Sequence, residues 1–599
     1  MNIRLFLSLT ALALVVCGCG GEEASVKSPD GKIVVQAADS TLTVCYDGDA
    51  VQTIQVKAGT LQKVSHQSTF YESYKMLTGK RSDCSNQGHS RVFTYAGNQV
   101  EVRVYDDGVA YRYLNGETTT RYIIPDGLKR WIPRFAVDYE NQYPETAEAR
   151  SGQYAYPSLV EYADGVFGLI SEAGIEPGHC ASHLVCDAET ASYQIATGDE
   201  EPAYKVSPWR IIILGSLADV VESTLVTDVS PASEIDDDSW IEPGVSAWIY
   251  WAYNHSSKDF EKVREYIDLA ADMGWEYNLI DWEWDQMANG GNIDDALAYA
   301  RGKGVRVTLW YNSGTSWIGP GAPGPVDRLL TAESREAEFS RLEAMGVSGI
   351  KVDFFKNDGA EMMRYYIDIL NDAARHHLLV DFHGCTLPRG WQRTYPNLMS
   401  MEAVYGAEWY NNRPVMTRLA ASHNATLPFT RNVVGPMDYT PGTFSDSQHP
   451  HITTWAHELA LPVLFESGLL HMPDRPSVYY GFSDEVRSLL SDLPSTWDDT
   501  RLLGGYPGEY VIMARRKAGK WYIAGINGTD QTRSLTLSFG RLGLEGKYGA
   551  TLFKDSEDGK SIDTVTTTEI GGDTDIQCLP MGGFVMVLEK SDESIICII

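Results

Sequence analysis

Between residues 241 and about 495 the chain alternates short apolar runs with stretches of helical periodicity, and this alternation constrains the fold more than any other feature. SAWIYWAY (246–253), YNLIDWEW (277–284), VRVTLWYN (305–312), GIKVDFF (349–355), HLLVDFHG (377–384) and LMSMEAVYG (398–406) read as buried strands. Weaker runs near TRNVVG (430–435) and PVLFESG (462–468) bring the expected number of strands to eight. KDFEKVREYIDLAADMG (258–274) sets Phe260, Val263, Ile267 and Ala270 at helical spacing, and NIDDALAYARGKG (292–304) follows the second run. Further helices are predicted over about 327–345 and 360–375. Repeated strand–helix units of this length fit a (β/α)8 barrel.

The flanks have a different rhythm. Residues 24–240 contain TLTVCYDG, VFTYAGNQVEVRVYDDGVAYRYL and RIIILGS, which alternate apolar and polar residues around Gly, Asn and Asp turns. They predict an N-terminal antiparallel β-sandwich domain. The same alternation returns over 496–599, in YVIMARRKAGKWYIAGINGT and SLTLSFGRL, and predicts a smaller C-terminal β-sandwich. The expected organisation is therefore a leader over 1–23, a sandwich over 24–240, a barrel over 241–495 and a second sandwich over 496–599.

The leader has the form of an export signal. Arg4 precedes an apolar stretch, Leu5 to Val16, that is too short to span a bilayer. The following VCGCGGEE resembles a bacterial lipoprotein cleavage site, with Cys19 as the lipidated residue; an ordinary cleaved signal peptide is the alternative. The expectation is an exported lipoprotein of the periplasm or outer membrane of a Gram-negative bacterium. The formal net charge of −32 argues against a nucleic-acid partner. Nine cysteines show no CxxC pair and no Cys/His zinc spacing.

Polar and aromatic residues recur where barrel strands end, and a barrel of this kind carries its active site at those C-terminal ends. The first run ends in Trp251, Tyr253 and Asn254, the second in Asp281, Trp282, Glu283 and Trp284, and the third in Trp310, Tyr311 and Asn312. The fourth carries Lys351 and Asp353, the fifth Asp381 and His383, and the sixth Glu402 with Glu408 beyond it. Aromatic faces cover the C–H surface of a pyranose, carboxylates and amides bind its hydroxyls, and two further carboxylates hydrolyse the bond. Any one of these residues alone is better read as structural; their co-location is the signal. Lys351 and Asp353 are two apart and face the same side. Either Lys351 serves the site by steadying the Asp353 carboxylate and binding a hydroxyl, or the two form a structural ion pair.

GIKVDFF, HGCTLPRGWQRTYPNLMSMEAVYGAEWY (383–410) and TTWAHELALPVLFESGLLHM (453–472) resemble glycoside hydrolase family 97 over nearly the whole mature chain. The resemblance implies two β-sandwiches around a catalytic (β/α)8 barrel, and an activity of either the retaining α-galactosidase or the inverting α-glucosidase type. It makes Asp353 the nucleophile of the retaining branch. Gly384 stands where the inverting branch has its base Glu. Glu408, second of the E-x5-E pair begun by Glu402, becomes the acid/base. Calcium is implied near the acid, held by Glu402, Glu408 and the Glu of a Ser/Thr-Glu-Ala motif, which SEAG (171–174) matches through Glu172; oxygen ligands suit that ion. Lys351, Asp281, Trp310 and His383 are expected to contact the sugar. The chain is thus expected to be a calcium-assisted, exo-acting retaining hydrolase of oligosaccharides with terminal α-galactose. An α-glucosidase, a β-L-arabinopyranosidase and a non-catalytic glycan-binding lipoprotein stand as alternatives.

Overall fold

The computed structural model describes residues 24–116 and 119–591. The expected signal peptide and the lipid anchor at Cys19 lie outside these residues. No helix among the described residues is long and apolar enough to cross a membrane.

The N-terminal part forms two antiparallel sheets, of eight and ten strands, whose apolar faces share one core. The alternation seen in the sequence is what builds it. Ile33–Ala38, for example, buries Ile33, Val35 and Ala37 and leaves the intervening residues partly or fully in solvent. Two short helices, Leu217–Glu222 and Leu225–Asp228, lead from the sandwich to the next domain.

The central domain is a parallel barrel of seven strands: β1 (Gly244–Trp248), β2 (Tyr277–Ile280), β3 (Arg306–Asn312), β4 (Gly349–Asp353), β5 (Leu379–Phe382), β6 (Leu398–Met401) and β7 (Leu469–Met472). They pair in the order β6-β5-β4-β3-β2-β1-β7. Helices α1 (Phe260–Met273), α2 (Ile293–Lys303), α3 (Ala332–Met345) and α4 (Ala360–Arg375) cover the outside. Side chains cap the first three: Asp259, Asn292 and Thr331 each accept a first-turn N–H, and Gly274, Gly304 and Gly346 end the helices in the left-handed conformation.

The last two expected strands are not where the sequence placed them. TRNVVG contains the 3-10 turn Arg431–Val433, directly after another at Leu427–Phe429, and forms no strand. Residues 462–464 of PVLFESG end a helix buried from Ala456 onward, α5 (Trp455–Leu464), and the strand follows at β7. A short, uniformly apolar run does not separate a buried helix from a buried strand by periodicity. The gap between β6 and β7 is closed irregularly. The Asp438 N–H donates to the Met401 carbonyl at 3.0 Å, that of Met437 to Glu466 at 2.8 Å, and that of Gly468 to Met399 at 2.9 Å. The Arg431 guanidinium does the rest. It is fully buried and donates to the carbonyls of Ala403 (2.9 Å), Met401 (3.0 Å), Gly435 (3.1 Å), Pro436 (2.8 Å) and Glu402 (3.2 Å). Of these carbonyls only that of Met401 also accepts a backbone N–H described above, so the guanidinium supplies donors that the irregular turn lacks.

The C-terminal domain is a six-stranded antiparallel sheet with a separate two-stranded sheet, and it packs on α5. Arg431→Lys keeps the charge but loses the planar fork that reaches several carbonyls at once. We expect it to destabilise the protein by on the order of 3 kcal/mol, read as a lower midpoint in thermal unfolding, and to weaken turnover because Glu402 sits on the same turn.

Candidate active site

Asp353 is the last residue of β4, and its carboxylate accepts a hydrogen bond from Trp310 Nε1 at 3.2 Å. The next residue, Phe354, has φ of 69°, which turns the chain sharply away from the strand and leaves Asp353 at the barrel mouth. Burial pushes the Asp353 pKa up to about 6, although His383 and Lys351 oppose the rise. Gly384, after β5, lies against it with φ of +46°; a Cβ there would meet Asp353 Oδ1 at 2.9 Å and the Phe354 nitrogen at 3.0 Å. A larger residue at 384 and this placement of Asp353 therefore exclude one another.

Lys351 Nζ lies 3.3 Å from Asp281 Oδ2 and 4.4 Å above the Trp248 ring. Burial alone would strip its proton, but Asp281, Glu408 and Asp353 more than offset this and raise the pKa. Asp281 is held in turn by Trp248 Nε1 at 2.7 Å and the Trp282 N–H at 2.8 Å. The ion pair of Lys351 is thus made with Asp281 rather than with Asp353, and Lys351 also lines the cavity.

The cavity, of about 550 Å³, opens at the strand ends. Asp281, Trp310, Lys351, Asp353, Gly384, Glu402 and Glu408 line it, all but Gly384 as expected of site residues. Glu408 is held protonated near neutral pH: burial, then the negative charge of Glu402, push its pKa up to about 8. Asp353 and Glu408 thus share one cavity with different proton affinities.

His383 is 1% exposed and does not line the cavity. It lies behind the wall, with Nδ1 3.2 Å from Glu402 Oε2 and Nε2 2.6 Å from Asp438 Oδ2. Asp438 also meets His471 Nδ1 at 2.8 Å. The expected sugar contact is thus a buried support for Glu402, which the Gly384 N–H also holds at 2.8 Å.

The sequence reading missed the N-terminal domain's contribution. Asp138 and Glu140 reach over the barrel mouth and line the cavity, with Trp409 Nε1 donating to Glu140. Tyr139 between them is pinned to Asp358 and to Arg389, the latter at 2.8 Å. Only the YENQY context, a carboxylate flanked by aromatics, hinted at this loop. Tyr250, Trp282, Trp317 and Trp409 supply the aromatic walls.

Besides Asp281 and Asp353, the carboxylates of Asp138, Glu140, Glu402 and Glu408 face this one space. Burial and mutual repulsion raise the pKa values of Asp138, Glu140 and Glu408. Ligand atoms of His383, Glu402 and Glu408 lie within 4.8 Å of one another. A set of hard oxygens with excess negative charge fits a calcium ion. Glu172 does not join it. Its carboxylate is fully buried and taken by Arg210, by Arg389 Nε at 2.6 Å, and by Ser182 N (2.8 Å) and Oγ (2.6 Å).

A parallel barrel whose mouth joins two buried carboxylates, a buried lysine and tryptophan walls is the architecture of a glycoside hydrolase. The family descriptions agree. "Glycoside hydrolase 97" matches residues 240–404, its N-terminal domain 26–231 and its C-terminal, oligomerisation domain 496–589. The chain is 35% identical over 548 residues to a "Probable retaining alpha-galactosidase" of Streptomyces bingchenggensis, covering 86% of this chain and 82% of that protein. It is 29% identical to the "Retaining alpha-galactosidase" of Bacteroides thetaiotaomicron, over 76% and 77% of the two chains. Among solved structures, a β-arabinopyranosidase superposes with a TM-score of 0.86 at 28% identity, covering 94% of this chain and all (100%) of that one. The protein belongs to glycoside hydrolase family 97.

Glu172→Gln removes the charge that two buried guanidiniums share, a loss of about 3–5 kcal/mol for a buried pair. We expect a clear drop in the thermal unfolding midpoint; an unchanged midpoint would remove Glu172 from the buried junction with Arg210 and Arg389.

Proposed function

We propose that the protein is an exo-acting retaining hydrolase that releases terminal α-galactose from oligosaccharides by double displacement. The observation that carries this reading is the pairing of Asp353 and Glu408 in one cavity, the first ionising near pH 6 and the second holding its proton to about pH 8. Asp353 attacks the anomeric carbon while Glu408 gives its proton to the departing glycosidic oxygen. A covalent β-linked glycosyl-enzyme forms. Water then attacks the same carbon, Glu408 takes the water's proton, and the sugar leaves with its original configuration. Lys351 holds positive charge beside Asp281 and Asp353. Trp310 orients the nucleophile through its indole N–H. The steric conflict at Gly384 supports a retaining route, since a base side chain there would displace Asp353. Two relatives that bear the name retaining α-galactosidase favour galactose as the terminal sugar.

Calcium is part of the proposal, held by Glu402 and Glu408 with Asp138 and Glu140 on the facing loop, and when bound it supplies positive charge that relieves their repulsion. Export and anchoring through Cys19 complete the reading. The β-arabinopyranosidase structure favours a second one, in which the terminal sugar is β-L-arabinopyranose. That sugar matches α-galactose except for the hydroxymethyl group, a difference that apolar contacts discriminate weakly.

The purified protein with calcium and an aryl α-galactoside, followed by proton NMR, should release α-galactose first. β-Galactose as the first product would remove Asp353 from the nucleophile's role. Asp353→Ala should lower kcat/KM by at least about 10³-fold. Glu408→Ala should cost about 10²–10⁴-fold on alkyl glycosides, whose leaving oxygen needs a proton, and less on aryl ones.

The pH profile has a definite sign. Asp353 must be ionised, so kcat/KM falls on the acid side, through about 6 without the metal; Glu408 must be protonated, so kcat/KM falls again on the alkaline side, through about 8 without the metal and at lower pH with calcium bound, because the ion's charge favours the carboxylate. Glu408→Gln should abolish the alkaline limb on an aryl substrate. An alkaline limb unchanged in that variant would assign it to another group.

A further inference from the structure

The space over the active site does not end at Trp317. A second cleft, of about 540 Å³, opens on the far side of that indole, and Trp317 and Lys356 line both. Its walls come from the N-terminal domain through Asp199, from the segment after β3 through Ser316, and from α4 through Arg364 and Tyr365.

Both aromatic rings are fixed in place. Trp317 Nε1 donates to Ser313 Oγ at 3.0 Å and to the Phe354 carbonyl at 2.9 Å, next to the nucleophile. The Tyr365 hydroxyl donates to the Ser313 carbonyl at 2.8 Å, and the two rings meet edge to face with centroids 6.2 Å apart. Asp199 and Asp368 of the same cleft are engaged, the first accepting the Ala360 N–H at 2.9 Å and the second lying 3.5 Å from Arg335. Lys356, Asn357 and Arg364 are exposed, and neither cation forms an ion pair among the described residues. Locked aromatic faces beside unengaged N–H donors are what a sugar chain requires: rings for its C–H faces, donors for its hydroxyls.

We propose that this cleft is an aglycone site, which holds two or more sugar units of an oligosaccharide while the terminal unit occupies the first cavity. The proposal rests on the glycosidase reading and names its substrate class, a glycan of three or more units rather than a small glycoside. The aglycone crosses the barrel mouth over Trp317. Product release then leaves the shortened chain on the cleft and the single sugar in the cavity.

The test separates the two readings. The full-length Asp353→Asn protein is titrated by calorimetry with methyl α-galactopyranoside, melibiose, raffinose and stachyose. Affinity should climb at least about tenfold between the monosaccharide glycoside and the longest probe. The climb should collapse in Asp353→Asn combined with Asn357→Asp and Arg364→Ala; the aspartate keeps the oxygen that accepts the Gly359 N–H at 3.1 Å and loses only the amide donor, so the unfolding midpoint should stay unchanged. Equal affinity at every length, or a climb that survives both replacements, overturns the aglycone site. A climb in affinity together with no aryl α-galactoside hydrolysis by the unmodified protein overturns the cleavage reading and supports the cleft. No binding of methyl α-galactopyranoside overturns the galactoside reading instead, and the same series headed by β-L-arabinopyranose then decides the cleft.

Discussion

The ammonium of Lys351 sits with almost no solvent contact among the carboxylates of Asp281, Asp353, Asp381 and Glu408, and the barrel mouth depends on this charge. A buried lysine without anions loses its proton, and buried carboxylates without cations gain theirs. Here each stabilises the ionised form of the other. Asp353 is kept within reach of ionisation despite full burial, because Lys351 and His383 oppose the cost of desolvation. At Glu140 and Glu408, burial and then the negative charge of Glu402 outweigh the nearby cations, and both carboxyls are pushed towards the protonated form. Two carboxylic acids in one cavity, Asp353 and Glu408, therefore differ in proton affinity through position alone, as the proposed nucleophile and acid require.

The same logic joins the domains. Glu172 lies on a strand of the N-terminal sandwich and meets Arg389 of the barrel, whose guanidinium also reaches Tyr139 and Asp358. With Arg210 behind it, Glu172 shares two buried cations, which makes the pair strong only while it stays intact. Tyr139 lies between Asp138 and Glu140, so this network positions the loop that brings both carboxylates over the cavity. The N-terminal sandwich is thus part of the active site as well as a support for the barrel.

Backbone shape decides where Asp353 stands. Phe354 adopts a left-handed conformation that a bulky residue seldom takes, and Gly384 is packed against it so closely that a Cβ would collide. The Phe355 N–H closes the arrangement by donating to the Gly384 carbonyl at 2.9 Å. Strain beside Asp353 is held by the strands on either side, and Glu402 is tied to the same spot through the Gly384 N–H.

Local patterning determined much of this protein. Residues 258–274, 292–304 and about 327–345 were legible as α1 to α3, and the structure shows why: the caps Asp259, Asn292 and Thr331 and the C-terminal glycines are short-range effects. Strand ends rich in Asp, Trp and Lys disclosed the barrel mouth, since charge at the end of an apolar run is costly unless it has a task. The E-x5-E pair and Asp353 were legible through family resemblance, and the structure gathers all three in one cavity. Other features depended on residues distant in sequence. Whether TTWAHELALPVLF became helix or strand rested on what packed around it, not on its period. His383 became a support rather than a sugar contact because Asp438, 55 residues later, claims its ring. Glu172 lay beside two arginines, one 38 and one 217 residues away, that no local pattern could pair with it. Burial and counter-charge are set by the folded neighbourhood, and for a carboxylate that neighbourhood decides whether it cuts, binds or only holds the fold together.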